Sequence, residues 1–172
     1  MDITNTKSII TDRCVLSPLT QSDFDELTPL FTSEEVRRYL GGVRPVEDSL
    51  SNLNNSIRAV NEHPFVARLN ETHECIGYLS IAPHHNPVDM EISYMFLPEH
   101  WGNGYAEETV KAVLTFCEQK LNLSRVVSET QTENIRSCRL LEKLSYRVES
   151  YTERFGAKQT IYVYDFKDGV SI

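Results

Sequence analysis

Two glycines separated by one residue, Gly102 and Gly104, follow a predicted strand and precede a predicted helix. Because glycine reaches left-handed backbone angles without strain, such a turn can direct free backbone N–H groups toward one point. Together with the positive end of the following helix dipole, these groups form a concave site for an anion such as a pyrophosphate. An ordinary tight turn is also compatible with two glycines, so the interpretation depends on the surrounding residues.

Other phosphate-binding patterns do not fit this turn. A Rossmann turn requires a third glycine where Glu107 stands, and no Walker pattern occurs in the chain. Glu107 and Glu108 fall in the first helical turn, where they suit the helix dipole but would repel a phosphate unless both side chains turn outward. The N–H groups of the loop are therefore expected to bind the anion.

Glu91, a carboxylate on a predicted strand, is the candidate for a group that accepts a proton. Residues 90–96 alternate in polarity, which predicts a strand with Ile92, Tyr94 and Phe96 on one face and Glu91 on the other. A carboxylate that points away from the apolar face can take up a proton, directly or through water. The alternative is a solvated or salt-bridged glutamate.

Asn134 and Ser137 open a predicted helix. Asn134 is a common helix N-cap residue and is also a candidate cofactor contact. The Ser137 hydroxyl can donate a proton or a hydrogen bond. The alternative for Ser137 is packing on the helix face or a hydrogen bond back to a carbonyl group.

The elements that must position these residues alternate between strands and helices. Period-2 patterns predict strands over 8–17, 64–69, 75–81, 90–96, 125–128, 146–151 and 160–166. Apolar residues at helical spacing predict helices that begin near Phe24 and over 33–40, 46–62, 106–121 and 134–144, the last with Ile135 in its apolar stripe. Helices inserted after the first strand, then a hairpin and strand–helix units, predict a mixed α/β or α+β sheet in three layers.

Composition narrows the class of protein further. With 172 residues, 40% of them hydrophobic, the chain is the size of one domain. A net charge of −8 without a block of lysine or arginine argues against nucleic-acid binding. No stretch approaches the ~18 apolar residues of a membrane span, so a cytoplasmic protein is expected. Four widely spaced cysteines are expected to be buried thiols: Cys14, Cys75, Cys117 and Cys138.

Histidine spacing predicts no metal site. His84 and His85 lie in a turn bounded by prolines and are expected to face solvent, and spacing supplies no third ligand. His100, in the loop before Gly102, is expected to pack or to face water.

The residues from Leu97 to Glu108, with the core His100-Trp101-Gly102-Asn103-Gly104-Tyr105-Ala106, resemble the acetyl-CoA pyrophosphate loop of the GNAT acetyltransferases. The form is that of the RimJ/RimL-like ribosomal-protein N-acetyltransferase branch. Residues 134–146 resemble the family's second motif, Asn-x-x-Ser followed by an apolar helix. The resemblance covers about 10–166, and implies one GNAT domain over 1–172 with a mostly antiparallel mixed sheet of about six or seven strands.

The resemblance also implies a cosubstrate and its contacts. Acetyl-CoA is expected to meet the backbone of Met95, Phe96 and Leu97, and the other expected contacts are Trp101, Gly102, Asn103, Gly104, Tyr105, Ala106 and Asn134. Glu91 and Ser137 are the candidate catalytic residues. The chain departs from many members of the family at Leu141, where they carry a tyrosine acid, and at Ser145-Tyr146, where they carry Gly-Phe.

The acceptor is expected to be a primary amine. An α-amine, with a pKa near ~8, is easier to deprotonate than a lysine with a pKa of about 10.4, and the branch resemblance also implies a protein N-terminus. Small amines such as polyamines or aminoglycosides remain open, as does a non-catalytic CoA sensor. Fold analogy assigns the acceptor groove to 41–45 and 154–157. The protein is expected to be a monomer or a homodimer.

Overall fold

A twisted sheet runs through the centre of the molecule. The computed structural model describes residues 7–166, within which eight strands follow the order β1-β2-β3-β4-β5-β6-β8-β7. All neighbouring strands are antiparallel except the parallel pair β5 and β6. The strands are β1 Ile9–Ile10, β2 Cys14–Pro18, β3 His63–Leu69, β4 Cys75–Pro83, β5 Met90–Phe96, β6 Arg125–Gln131, β7 Arg147–Arg154 and β8 Ala157–Asp165.

Helices cover both faces of this sheet, as the sequence predicted. They are α1 Phe24–Thr32, α2 Glu34–Arg37, α3 Val46–Arg58, α4 Tyr105–Gln119 and α5 Ile135–Lys143. On one face, buried residues of α4 and α5, including Val113 and Leu141, pack against the sheet. On the other face, Leu27 of α1 and Leu53 of α3 pack against Val66 of β3. The three-layer mixed fold predicted above is confirmed.

Several boundaries differ from the sequence predictions. The first predicted strand is two strands, because the Thr11 N–H donates to the Cys14 carbonyl (2.8 Å) and Thr11 Oγ1 accepts the Cys14 N–H (3.0 Å), which turns the chain between them. This split brings the sheet to eight strands instead of six or seven. Helix α3 ends at Arg58, and Val60 beyond it is 69% exposed. Ile135 was expected in the apolar stripe of α5 but is 54% exposed, because it occupies the first turn beside the cleft.

The four cysteines are free and buried, as predicted. Within residues 7–166, no helix is long and apolar enough to cross a membrane.

Strands β5 and β6 separate near the middle of the sheet. They pair in parallel where Glu91 lies opposite Val127, whereas β5 pairs with β4 along its whole length. Next to the paired position, Ser128 Oγ donates a hydrogen bond to the carbonyl of Ile92 (2.8 Å). Beyond this contact the two strands diverge, and the sheet opens into a cleft.

Candidate active site

A cleft of about 780 Å³ occupies the gap between β5 and β6. It is lined by α2, by the two strands, by the loop that precedes α4 and by the start of α5. The predicted site residues in its wall are Met95, Phe96, Trp101, Gly102, Gly104, Tyr105, Ala106, Asn134 and Ser137. Glu91, Leu97 and Asn103 were predicted with them but lie just outside the lining.

The backbone of β5 faces the cleft at alternate residues. Leu97 N donates to Ile76 O of β4 (2.9 Å), so the peptide groups of Met95 and Leu97, which were expected to meet the cosubstrate, face β4 instead. The peptide groups of Tyr94 and Phe96 face the gap by the same alternation. The Phe96 carbonyl accepts a hydrogen bond from Trp101 Nε1 (2.8 Å), which ties the loop to the strand.

The glycine loop has the conformation that its sequence predicts. Gly102 and Gly104 have φ angles of 78° and 81°, in the left-handed region. Gly104 is the N-cap of α4, so the loop ends where the positive end of the helix dipole begins. Asn134, at the start of α5, accepts a hydrogen bond from Ser137 N through its side chain (3.3 Å) and is therefore an N-cap as expected.

The two glutamates at the start of α4 are both paired with cations. Glu107 contacts Lys143 Nζ at 2.6 Å. Glu108 accepts hydrogen bonds from Thr11 Oγ1 (2.6 Å), Arg13 N (2.8 Å) and Arg13 Nε (2.7 Å). Burial by itself would raise the pKa of Glu108, but these hydrogen bonds outweigh it and hold that pKa below its ordinary value. The charges that would repel a phosphate are thus largely compensated.

Arg13 also supports the glycine loop directly. Its Nη1 donates to the carbonyl of Asn103 (2.9 Å), and its guanidinium lies 4.5 Å from the centroid of the Tyr105 ring. Sequence reasoning missed Arg13, since it lies 95 residues before Glu108 and carries no motif.

A pair of hydroxyls lies on the helical side of the cleft. Tyr94 Oη and Ser137 Oγ are 2.6 Å apart, and both residues line the cleft. Burial raises the pKa of Tyr94 to about 12, although the bond to Ser137 opposes the rise. Tyr94 therefore keeps its proton at neutral pH. The sequence placed Tyr94 on the apolar face of its strand and assigned it no role, while Leu141, at the position where the family resemblance implied a tyrosine acid, is fully buried.

Glu91 lies where the strands begin to part, on the opposite face of β5 from Tyr94. Its Oε1 accepts the Glu129 N–H at 3.4 Å, across the gap between the strands. Burial raises the pKa of Glu91 above its ordinary value. The charge of Glu129 adds to this rise, whereas His84 and Arg154 oppose it.

The histidine turn differs from the sequence prediction. His84 was expected to face solvent but is 2% exposed, because its Nε2 makes a 2.7 Å contact with Glu129 Oε2. His85 Nδ1 lies 3.3 Å from the same oxygen. The ligand atoms of His84, His85 and Glu129 are therefore close enough together to hold a metal ion. Arg154 Nη1 lies 3.4 Å from that oxygen and contacts His85 Nδ1. A guanidinium therefore already supplies positive charge there.

The chain belongs to the GNAT acetyltransferase family: residues 13–147 match the family described as "Acetyltransferase (GNAT) domain". The protein is thus an acyltransferase. It is similar to the uncharacterized N-acetyltransferase YoaA of Bacillus subtilis, with 29% identity over 153 residues, which are 84% of this chain and 85% of that protein.

Two solved structures have the same fold. One is an acetyltransferase from Salmonella typhimurium that modifies the N-terminal serine of 50S ribosomal subunit protein L7/L12 (TM-score 0.80, 16% identity, 93% of this chain and 99% of that chain). The other is spermidine N-acetyltransferase from Vibrio cholerae in complex with CoA and spermine (TM-score 0.76, 18% identity, 88% and 95%). At these identities the likeness establishes the fold.

Replacement of Arg13 by Gln is expected to weaken CoA binding. The change frees the Asn103 carbonyl and leaves the Glu108 charge beside the glycine loop. We expect the dissociation constant for CoA, measured by isothermal titration calorimetry, to rise about tenfold, which corresponds to ~1.4 kcal/mol. Glu108→Gln in the same chain should recover part of the loss, because it removes the uncompensated charge.

Arg147→Gln is the matched control for this experiment. Arg147 also forms an exposed ion pair, with Asp165 at 2.7 Å, but on β7. Its replacement should leave CoA affinity unchanged. Equal affinities of the Arg13 and Arg147 variants would show that Arg13 does not support the loop.

Proposed function

We propose that this protein transfers the acetyl group of acetyl-CoA to the α-amine of a protein N-terminus, as a RimJ/RimL-like enzyme. The observation that carries the proposal is the arrangement around the gap between β5 and β6. A carboxylate with a raised pKa, Glu91, lies on one face of β5, and the Tyr94–Ser137 hydroxyl pair lies on the other. Acetyl transfer from a thioester to an amine needs a base and an acid on either side of the reacting carbonyl.

The cosubstrate is proposed to bind along the cleft. The N–H groups of the Gly102–Gly104 loop would hold the pyrophosphate, since the loop is left-handed, opens a helix and has its nearby glutamates paired. The peptide groups of Tyr94 and Phe96 face the gap, where they can bind the pantetheine amides and polarise the thioester carbonyl. Acetyl-CoA supplies the activated acyl group.

The residues of the chain then manage two protons. Glu91, through a water in the gap, takes a proton from the acceptor ammonium, and the neutral nitrogen attacks the carbonyl carbon. A C–N bond forms and the C–S bond breaks. The departing thiolate takes a proton from Ser137, and Tyr94 replaces that proton through their 2.6 Å contact. The second proton, which the nitrogen loses as the amide forms, returns to Tyr94 through water in the cleft.

The choice of an α-amine rests on basicity and on one structural neighbour. An α-amine with a pKa near ~8 is roughly a tenth neutral at pH 7, so a single carboxylate suffices as its base. The Salmonella typhimurium neighbour modifies an N-terminal serine. The second candidate is a small polyamine, which the Vibrio cholerae neighbour and the net charge of −8 favour.

A free-thiol release assay with acetyl-CoA tests the proposal, with Ala- and Ser-initiated peptides, spermidine and an aminoglycoside as acceptors. We expect the peptides to give the highest kcat/KM. Glu91→Gln should lower kcat/KM by about 10²-fold, within the usual range of general base catalysis. Glu91 must be ionised to act, so wild-type kcat/KM should fall as the pH drops through its raised pKa, and the variant should lose this acidic limb.

The outcomes separate the alternatives. Preferential turnover of spermidine would favour a small polyamine as the acceptor. Tight CoA binding with no turnover of any acceptor would favour a non-catalytic sensor. An unchanged pH profile in Glu91→Gln would remove Glu91 from the mechanism.

Tyr94→Phe tests the acid side of the mechanism. Loss of the hydroxyl interrupts the proton supply to Ser137, and we expect kcat to fall at least about tenfold with little change in CoA affinity. Tyr146→Phe is the control, because Tyr146 is also a buried tyrosine but does not line the cleft; its hydroxyl lies 3.5 Å from Ser128 Oγ. If both variants lose the same activity, Tyr94 has no specific role.

A further inference from the structure

A second carboxylate lies beside Glu91 and faces the cleft. Glu129 of β6 lines the cleft, although its side chain is only 8% exposed. Behind it lie His84 and His85, in the turn after β4, and Arg154, at the end of β7. We call Glu129, His84, His85 and Arg154 the Glu129 cluster. The reaction as described above uses none of these four residues.

Hydrogen bonds hold the His84 ring against Glu129. The backbone N–H of Asn86 donates to His84 Nδ1 (3.4 Å). The other ring nitrogen, Nε2, then carries a proton and donates to Glu129 Oε2 at 2.7 Å. Arg154 donates to the same oxygen at 3.4 Å. Because both partners are donors, they hold the Glu129 carboxylate in one fixed orientation.

The charges in this region do not cancel. Glu91 and Glu129 contribute two negative charges when both are ionised, and Arg154 contributes one permanent positive charge. One negative charge therefore remains at the place where the strands part. A single ammonium ion would compensate this negative charge. An ammonium ion that enters through the cleft would meet Glu129 first.

We propose that Glu129, oriented by His84, binds the ammonium group of the acceptor and holds it next to Glu91. The inference rests on the proposed function and deepens it, since it assigns the acceptor site. Glu129 contacts the substrate, whereas His84 is a positioning residue. The acceptor is a primary amine that arrives protonated.

The two carboxylates have different tasks in this arrangement. The ammonium gives one N–H proton to Glu91, which becomes a neutral acid, and its nitrogen keeps the electron pair that attacks the thioester. Glu129 remains ionised, so Glu129 and Arg154 now balance each other. The proton transfer thus leaves a neutral amine among groups whose charges balance. No net charge then opposes the attack of the nitrogen on the thioester.

Nuclear magnetic resonance of the CoA-bound protein tests the site without turnover. Propylammonium is the probe, and the ¹⁵N and ¹H signals of the His84 ring report its binding. We expect a saturable shift in the wild type and at least a tenfold weaker affinity in Glu129→Gln. Glu133→Gln is the control, because Glu133 also lines the cleft but lies outside the cluster; it should bind as the wild type does.

The same variants have a kinetic signature with any acceptor that the thiol-release assay identifies. Glu91 is faced by Glu129 from β6, His84 from the turn after β4 and Arg154 from β7. The negative charge of Glu129 raises the pKa of Glu91, so Glu129→Gln should move the acidic limb of kcat/KM to lower pH and raise KM. His84→Gln should raise KM while CoA affinity stays unchanged.

Each outcome decides the proposal. Equal propylammonium affinity in the wild type and Glu129→Gln, or no saturable shift in the wild type, would overturn it. Binding of propylammonium without turnover of any acceptor would instead refute the proposed function and leave the ammonium site standing. If Glu129→Gln fails to fold, the His84→Gln increase in KM decides the question.

Discussion

The parting of β5 and β6 is the feature on which the rest of the site depends. Strands β5 and β6 pair in parallel at Glu91 and Val127, and next to this pair the Ser128 hydroxyl donates to the Ile92 carbonyl. The continuous sheet ends at that point. A strand edge inside a sheet normally leaves unpaired peptide groups, which is costly unless a ligand or solvent satisfies them. Here the exposed edge faces a cleft whose walls carry the chemical groups.

Charge compensation makes this cleft suitable for an anionic cosubstrate and a cationic acceptor. At one end, Arg13 and Lys143 pair with the glutamates of α4, so the helix start can accept a phosphate. At the other end, the negative charges of Glu91 and Glu129 together exceed the positive charge of Arg154 by one. Alternate residues of β5 point to opposite faces of the sheet, so Glu91 lies on one face and Tyr94 on the other. The proposed base, Glu91, and the proposed acid pair, Tyr94 and Ser137, therefore lie on opposite sides of one strand.

Local patterns in the sequence predicted the features that local structure determines. Turn chemistry predicts the glycine loop, and capping predicts the N-cap at Asn134. Strand alternation predicts that Glu91 lies on the face of β5 opposite Tyr94. The supporting contacts join residues far apart in the chain: Arg13 with Glu108, His84 with Glu129, and Tyr94 with Ser137. No periodicity connects such pairs, since the packing of strands, turns and helices in the fold brings them together. For the same reason the buried position of His84 could not be read from its turn.

Residue-resolved amide hydrogen exchange with and without CoA tests most directly whether the exposed edge of β5 receives the cosubstrate. The Tyr94 and Phe96 amides face the gap, while those of Ser93 and Met95 face β4 and act as internal controls. The account predicts that CoA slows exchange at Tyr94 and Phe96 and leaves Ser93 and Met95 unchanged. Unaltered exchange at Tyr94 and Phe96 under saturating CoA would contradict it.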